Sequence, residues 1–179
     1  GLKHGYGHQT FTDGSQYEGE WFNGQMEGRG VYRSALGDRY EGDFKSGSWS
    51  GRGMLEQADG SAFSGRWEHG KLNGRGLCWF SSGIFYEGDM RAGNFHGWGK
   101  KIWIDGSSYS GRWLTGYQCG LGIFNDGENE SYCGYWLFNL KVGRGVAMSK
   151  KEDPLTGFWF FNLGPFLARP IKEGNQSTL

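Results

Sequence analysis

Apolar and polar positions along this chain alternate in short bursts, with a period of two instead of the helical 3.6. Between Gly14 and Leu36, Tyr17, Gly19 and Trp21 alternate with Glu18 and Glu20, which predicts a half-buried strand. The strand ends at Asn23-Gly24, a dipeptide that supplies the positive φ angles of a tight turn. A second short strand is predicted through Gly28-Arg29-Gly30-Val31-Tyr32-Arg33. Asp13-Gly14, Asp59-Gly60, Ser82-Gly83 and Asp105-Gly106 mark the joints between one such hairpin and the next. No segment before the tail has the apolar period and length of a helix.

The same burst returns every 23 residues. Tyr17-Glu-Gly19-Glu-Trp21 recurs as Tyr40-Glu-Gly42-Asp-Phe44, Phe63-Ser-Gly65-Arg-Trp67, Tyr86-Glu-Gly88-Asp-Met90, Tyr109-Ser-Gly111-Arg-Trp113 and Tyr132-Cys-Gly134-Tyr-Trp136. A degenerate copy, Leu155-Thr-Gly157-Phe-Trp159, keeps the step. Gly28/Gly30 and their equivalents down to Gly143/Gly145 march in register. A fixed period of this length is the signature of a repeat architecture. The array is expected over residues 1–162, with a partial first copy, copies starting near 15, 38, 61, 84, 107 and 130, and the degenerate copy near 153. Residues 163–179 are left as a C-terminal tail or cap.

Hairpins in series predict an all-β fold: an elongated, single-layer antiparallel meander of about fourteen strands. Two strands per repeat advance the sheet by roughly 10 Å, giving a ribbon about 65–70 Å long and about 20 Å wide. In so narrow a sheet the rings must pack from strand to strand. Tyr17, Tyr40, Phe63, Tyr86, Tyr109 and Tyr132 form one column; Trp21, Phe44, Trp67, Met90, Trp113 and Trp136 form another on the same face. Gly19 and its equivalents leave room between the columns, and Gly28 and Gly30 are expected to clear space beneath neighbouring rings. A single layer is expected to leave part of the ring surface open, as a groove that accepts a partner segment.

Composition narrows the functional classes. The chain of 179 residues carries 35 Gly but only 3 Pro and no Gly-X-Y triplet, which excludes collagen. Nine Trp, nine Tyr and thirteen Phe argue against disorder. Nineteen basic residues balance nineteen acidic ones, so the broad positive footprint of a nucleic-acid binder is missing. Cys78, Cys119 and Cys133 form no C-x-x-C pair and suit a reducing, intracellular compartment. No apolar run reaches the roughly 20 residues that span a bilayer. The chain begins in mid-repeat at Gly1, without Met, and is expected to be a piece of a longer protein or to lack its first residues. Asn129-Glu130-Ser131 and Asn175-Gln176-Ser177 match the glycosylation sequon by chance.

The pattern Y-x-G-x-W-x-x-G-x-x-x-G-x-G, followed by D-G and stepping by 23 residues, resembles the MORN repeat (membrane occupation and recognition nexus). The resemblance covers residues 1 to about 145, with a weak copy at 155–162. It implies a twisted and curved antiparallel sheet with a groove. MORN repeats occur in junctophilins, ciliary radial-spoke head proteins, parasite cytoskeletal scaffolds, plant phosphatidylinositol-phosphate kinases and a protein lysine methyltransferase. In these the repeats act as scaffold, dimerisation or docking modules and any enzyme lies elsewhere. Repeat six departs from the pattern, with Asn139 where Gly116 and Gly93 stood, and repeat seven keeps only Gly157 and Trp159.

The candidate chemistry is sparse. His4 and His96 share a repeat position that Glu27, Ser50, Asn73 and Cys119 fill elsewhere, as expected of a polar turn site. His8 and His69 have no partner at metal-ligand spacing. No catalytic residue, metal or cofactor is expected. Arg29, Arg52, Arg75 and Arg144 occupy one repeat position with roughly 10 Å steps. Such a ladder can fork to phosphate oxygens of a lipid head group, or pair across strands with Glu18, Glu20, Glu41 and Asp43.

Two function classes follow. One is a non-enzymatic scaffold whose aromatic groove takes a helix or extended segment of a cytoskeletal, ciliary or axonemal partner. The other is a phospholipid-binding module that tethers a membrane, disfavoured because Arg66 and Arg112 alternate with Glu18, Asp43 and Asp89. The C-terminal end is apolar: Tyr135, Leu137, Phe138, Phe158, Phe160, Phe161 and Phe166 cluster where a polar cap is expected. Either the tail Gly164-Pro165-Phe166-Leu167 folds back over it or a second molecule does, a homodimer among the options. Pro165 and Pro170 suggest a tail that ends the sheet without lengthening it.

Overall fold

A computed structural model of the chain describes residues 1–171 and divides it into two units, Gly1–Gly99 and Lys100–Leu179. The second sequon, Asn175-Gln176-Ser177, and residues 172–179 of the tail lie outside the described residues. Among the described residues there are fifteen strands and no helix, and strand order follows chain order, each strand antiparallel to the last. The first unit holds β1 (Gly5–Thr10), β2 (Gln16–Phe22), β3 (Gln25–Arg33), β4 (Arg39–Lys45), β5 (Ser48–Glu56), β6 (Ala62–Glu68), β7 (Lys71–Trp79), β8 (Phe85–Arg91) and most of β9 (Asn94–Ile102). The second holds β10 (Ser108–Leu114), β11 (Tyr117–Asn125), β12 (Glu130–Leu137), β13 (Leu140–Ser149), β14 (Leu155–Phe160) and β15 (Leu163–Pro170). The expected antiparallel meander is the observed fold.

Two turn chemistries set the hairpins. Asn23 and Gly24 have φ of 48° and 80°, both in the left-handed region, as a primed two-residue turn demands. The departure at repeat six does not cost the turn, because Phe138 and Asn139 adopt φ of 48° and 68°. Asn139 tolerates that conformation, and its Oδ1 accepts from the Gln118 N–H at 2.8 Å, a bond no glycine offers. Asn162 repeats the device, its Oδ1 accepting from Lys141 N–H at 2.7 Å.

Glycines meet glycines across the middle of the sheet. Gly19 faces Gly7 on one side and Gly30 on the other, and Gly134 faces Gly122 and Gly145 in the same way. The resulting trough has no side chains, so a tyrosine ring can lie flat in it. A Cβ on Gly30 would fall 2.4 Å from Tyr17 Oη, and one on Gly122 would fall 2.2 Å from Tyr109 Oη. Each flat tyrosine is then roofed by two rings placed edge-on. Tyr17 lies 5.1 Å from Trp21 and 4.9 Å from Phe44; Tyr109 lies 5.1 Å from Trp113 and 5.3 Å from Trp136. The buried hydroxyls donate to carbonyls three residues on, Tyr17 to Glu20 at 2.9 Å and Tyr109 to Arg112 at 3.2 Å.

This packing corrects the expectation of an open ring surface. Tyr17, Tyr40, Tyr86 and Tyr109 are 0% exposed, Tyr132 is 2%, and Trp21, Phe44, Trp67, Trp113 and Trp136 are between 3% and 6%. A single layer covers its rings because they lie down in the trough. Phe63 is the exception, half-buried against Phe80 at 5.4 Å. It has no hydroxyl to tuck in, and Leu72 and Met90 fill the trough over Gly65 and Gly76 instead.

Two further expectations are corrected. Gly28 does not clear space beneath a ring: it sits at the β-bulge beside Glu20 with φ of 59°, so its role is conformational. The tail does not end the ladder at repeat seven either. Leu163–Pro170 forms β15 and pairs with β14, Phe158 facing Phe166 and Leu155 facing Pro170. Proline is tolerated there because β15 stands at the edge of the sheet among the described residues, where its outward N–H groups join no ladder. The described residues therefore hold fifteen strands, against about fourteen expected.

Candidate functional site

With the rings committed to the inner face, the chain's variable chemistry stands on the outer face of each unit. Strand alternation places Glu20, Asp43, Arg66 and Asp89 there from the shorter strands, and Arg29, Arg52 and Arg75 from the longer ones. Cross-strand register orders them into one row of the first unit. Arg29 faces Asp43, Arg52 faces Arg66, and Arg75 faces Asp89. The surface is concave here, a groove of about 1110 Å³ lined by Tyr6, Glu18, Arg39, Glu41 and the row itself from Arg29 to Arg75.

The predicted arginine ladder splits three ways. Arg29 takes the acidic-row option: its Nε lies 3.6 Å from Asp43 Oδ1. Asp43 is fully engaged, because its Oδ2 also accepts from the Arg52 N–H at 2.8 Å. Arg52 and Arg75 stand with Arg66, and among the described residues none of the three forms an ion pair. Arg144 belongs to the second unit and lies over the Phe158 ring at 5.6 Å.

The outer face of the second unit is apolar. Leu121 faces Tyr135, Tyr135 faces Val142, Cys133 lies between Ile123 and Val146, and Phe158 faces Phe166. Leu121, Ile123, Tyr135, Phe158 and Phe166 are each between 43% and 52% exposed. At about 4.8 Å per strand and 3.3 Å per residue, five strands of this face span on the order of 400–500 Å². Contiguous apolar surface beyond a few hundred Å² marks an interaction site. Arg144 supplies the charge on β11 to β14 at this face, and no carboxylate accompanies it there.

The structure brings most of the predicted C-terminal cluster together. Tyr135, Leu137, Phe158, Phe160 and Phe166 share the outer face or its end. Phe138 and Phe161 occupy hairpin turns; Phe138 packs on Tyr117 at 5.7 Å and Phe161 on Phe160 at 4.5 Å. The eleven ring positions from Tyr17 to Trp136 predicted to line a groove are placed in the core, Phe63 being half-buried. Leu121 and Ile123 are outer-face residues that sequence reasoning passed over, and Arg66 was set against Glu18, Asp43 and Asp89 without being read as a site residue. The signal was present, since Arg66 stands where Glu20, Asp43 and Asp89 stand in other copies.

The strongest shifts in acidity belong to groups packed in the core. Burial pushes the phenols of Tyr17 and Tyr132 up to about 12, and the Cys78 thiol likewise to about 12. These are core groups on the inner face. No group of three or more His, Cys, Asp or Glu placed to hold a metal ion occurs among the described residues.

Comparisons with known proteins agree with the repeat pattern. The family model described as MORN repeat matches residues 1–16, 17–39, 40–62, 63–84, 86–108 and 132–150. No protein of curated function matches in sequence. Among solved structures, the chain is similar to the TCP domain of SAS-4 from Drosophila melanogaster, determined with a proline-rich motif of Ana2. The identity is 8%, with a TM-score of 0.43 over 86% of this chain and 83% of that one.

Proposed function

The chain belongs to the MORN-repeat family, and from that premise we propose that it is a non-enzymatic interaction scaffold, holding a partner protein on the apolar outer face of its second unit. The observation that carries this reading is the contiguous surface of Leu121, Ile123, Tyr135, Val142, Val146 and Phe158. Exposed aromatic and aliphatic side chains on a rigid sheet are the usual anchors of a protein interface. Tyr135 and Phe158 are its centre, because they stand between Leu121 and Phe166 and rest on backbone fixed on both sides.

Arg112 and Arg144 flank this surface without carboxylates of their own. A helix or extended segment with an apolar stripe and acidic flanks complements it in both respects. The family resemblance supports placing the scaffold in a cytoskeletal or ciliary assembly. A bilayer is served less well, because the second unit's outer face offers few cations beside its apolar groups.

The experiment is cross-linking capture from ciliated cells with the full chain and with a Tyr135→Ser, Phe158→Ser variant, alongside light scattering of both. A partner cross-linked to β11–β15 and lost in the variant is expected. If the same proteins are captured by both forms, docking at this face is wrong. If both forms run as dimers, the two serines leaving the dimer intact, a second copy does not occupy the face either.

A further inference from the structure

The outer row of the first unit alternates in sign except at one place. From β2 to β8 its charged residues run Glu20, Arg29, Asp43, Arg52, Arg66, Arg75, Asp89, with β-bulges offsetting Glu20 from Arg29, Asp43 from Arg52 and Arg66 from Arg75. A glutamate or aspartate at position 66, as in the neighbouring copies, would make the alternation complete. Arg66 instead faces Arg52 directly, and like charges directly opposed across a sheet destabilise it. Arg75 follows on β7, so three guanidiniums stand on three adjacent strands. The nearest carboxylates are committed elsewhere: Asp43 to Arg29 and to the Arg52 N–H, Glu41 to Arg39, and Asp89 to the Trp98 N–H at 3.0 Å.

We propose that Arg52, Arg66 and Arg75 form a binding site for a phosphorylated side chain on a protein segment lying in the first unit's groove. Arg52 and Arg66 are register partners on strands about 4.8 Å apart and Arg75 stands on the next strand beyond a β-bulge, so three long, flexible side chains can converge on one group. Each guanidinium presents a planar fork matched to phosphate oxygens. A phosphate monoester offers about two negative charges and three acceptor oxygens, more than a carboxylate can bring to one point. The repulsion between Arg52 and Arg66 is then relieved by the ligand.

The same groove selects against a membrane. Glu18 and Glu41 line it beside the arginines and are exposed. A planar anionic bilayer laid on this face meets those carboxylates together with the cations, whereas a narrow segment passes between them. The site is independent of docking on the second unit, since it shares no residue with that surface.

The test is fluorescence anisotropy with the full chain and a labelled Gly/Ser-rich peptide carrying one phosphoserine between two aspartates. Its unphosphorylated form and phosphoinositide-containing vesicles serve as parallel probes. Binding of the phosphopeptide is expected to weaken about tenfold to hundredfold in Arg66→Glu. That variant restores the alternating row, so it should melt at or above the wild-type temperature, which separates lost binding from lost fold. Arg52→Ser with Arg75→Ser should weaken binding alike, and Lys151→Glu, at an exposed position of the second unit outside both surfaces, should not. Equal affinity for the unphosphorylated peptide, or an unchanged affinity in Arg66→Glu, overturns the site. Vesicles that bind more tightly than the phosphopeptide and lose binding in Arg66→Glu overturn the protein segment in favour of a membrane. None of these outcomes touches Tyr135 or Phe158, so the fate of the docking proposal is read separately.

Discussion

The two units carry the same inner face and opposite outer faces. Tyr40 in the first unit and Tyr109 in the second are both fully buried, each over a glycine pair and beneath a neighbouring tryptophan. On the outer side, Arg29, Asp43, Arg52 and Arg66 in the first unit give way to Leu121, Tyr135 and Phe158 in the second. The trough cannot change without losing the flat tyrosine, whereas an outer side chain meets mainly solvent. One face therefore fixes the fold and the other is free to specify what the fold holds. A repeat array can differ in function from end to end without differing in architecture.

The comparison breaks first if the inner faces are not equivalent. Trp67→Ala in the first unit and Trp113→Ala in the second should each cost about 3–5 kcal/mol in urea denaturation, because both roof a buried ring. A cost confined to one unit would mean that the two inner faces pack by different rules. The turns offer a finer test. Asn139→Ala should cost about 1–2 kcal/mol, losing both tolerance of φ 68° and the bond to Gln118 N–H. Asn139→Gly should recover most of that loss, since Gly47 and Gly93 hold the same turn conformation without a side chain.

Outer-face changes should do far less to stability. Tyr135→Ser and Phe158→Ser are expected to stay within about 1 kcal/mol of wild type, while fluorescence of a bound hydrophobic dye falls. A large stability loss would place these rings in the core and remove them from the interface. The smallest difference between units is expected in alkali. The phenols of Tyr17 and Tyr132 both sit at about 12 in the folded protein, against about 10 when unfolded. A raised folded value means that the folded state holds its proton longer, so this stability is complete below pH 10. It is lost as pH rises from about 10 through 12. Ultraviolet phenolate titration should show one late cooperative phase common to both units, and an early phase from Tyr17 alone would break the equivalence.

Much of this was legible in the chain itself. The 23-residue step, the period-two bursts and the X-Gly dipeptides determine strands, turns and the antiparallel meander, because each follows from local backbone geometry. They also separate the inner face from the outer, since alternate residues must point to opposite sides. The tertiary structure decided what periodicity cannot express. Whether a one-layer sheet exposes its rings depends on a tyrosine lying down across glycines contributed by two strands, and that burial turned the predicted groove into core. Register decided which residues face each other: Arg52 met Arg66 where Arg29 had met Asp43, and Leu163–Pro170 added a strand where its prolines suggested a stop. A sequence position states what a side chain is; only its neighbours across the strands, fixed by backbone hydrogen bonds, determine whether its charge is neutralised or left for a partner.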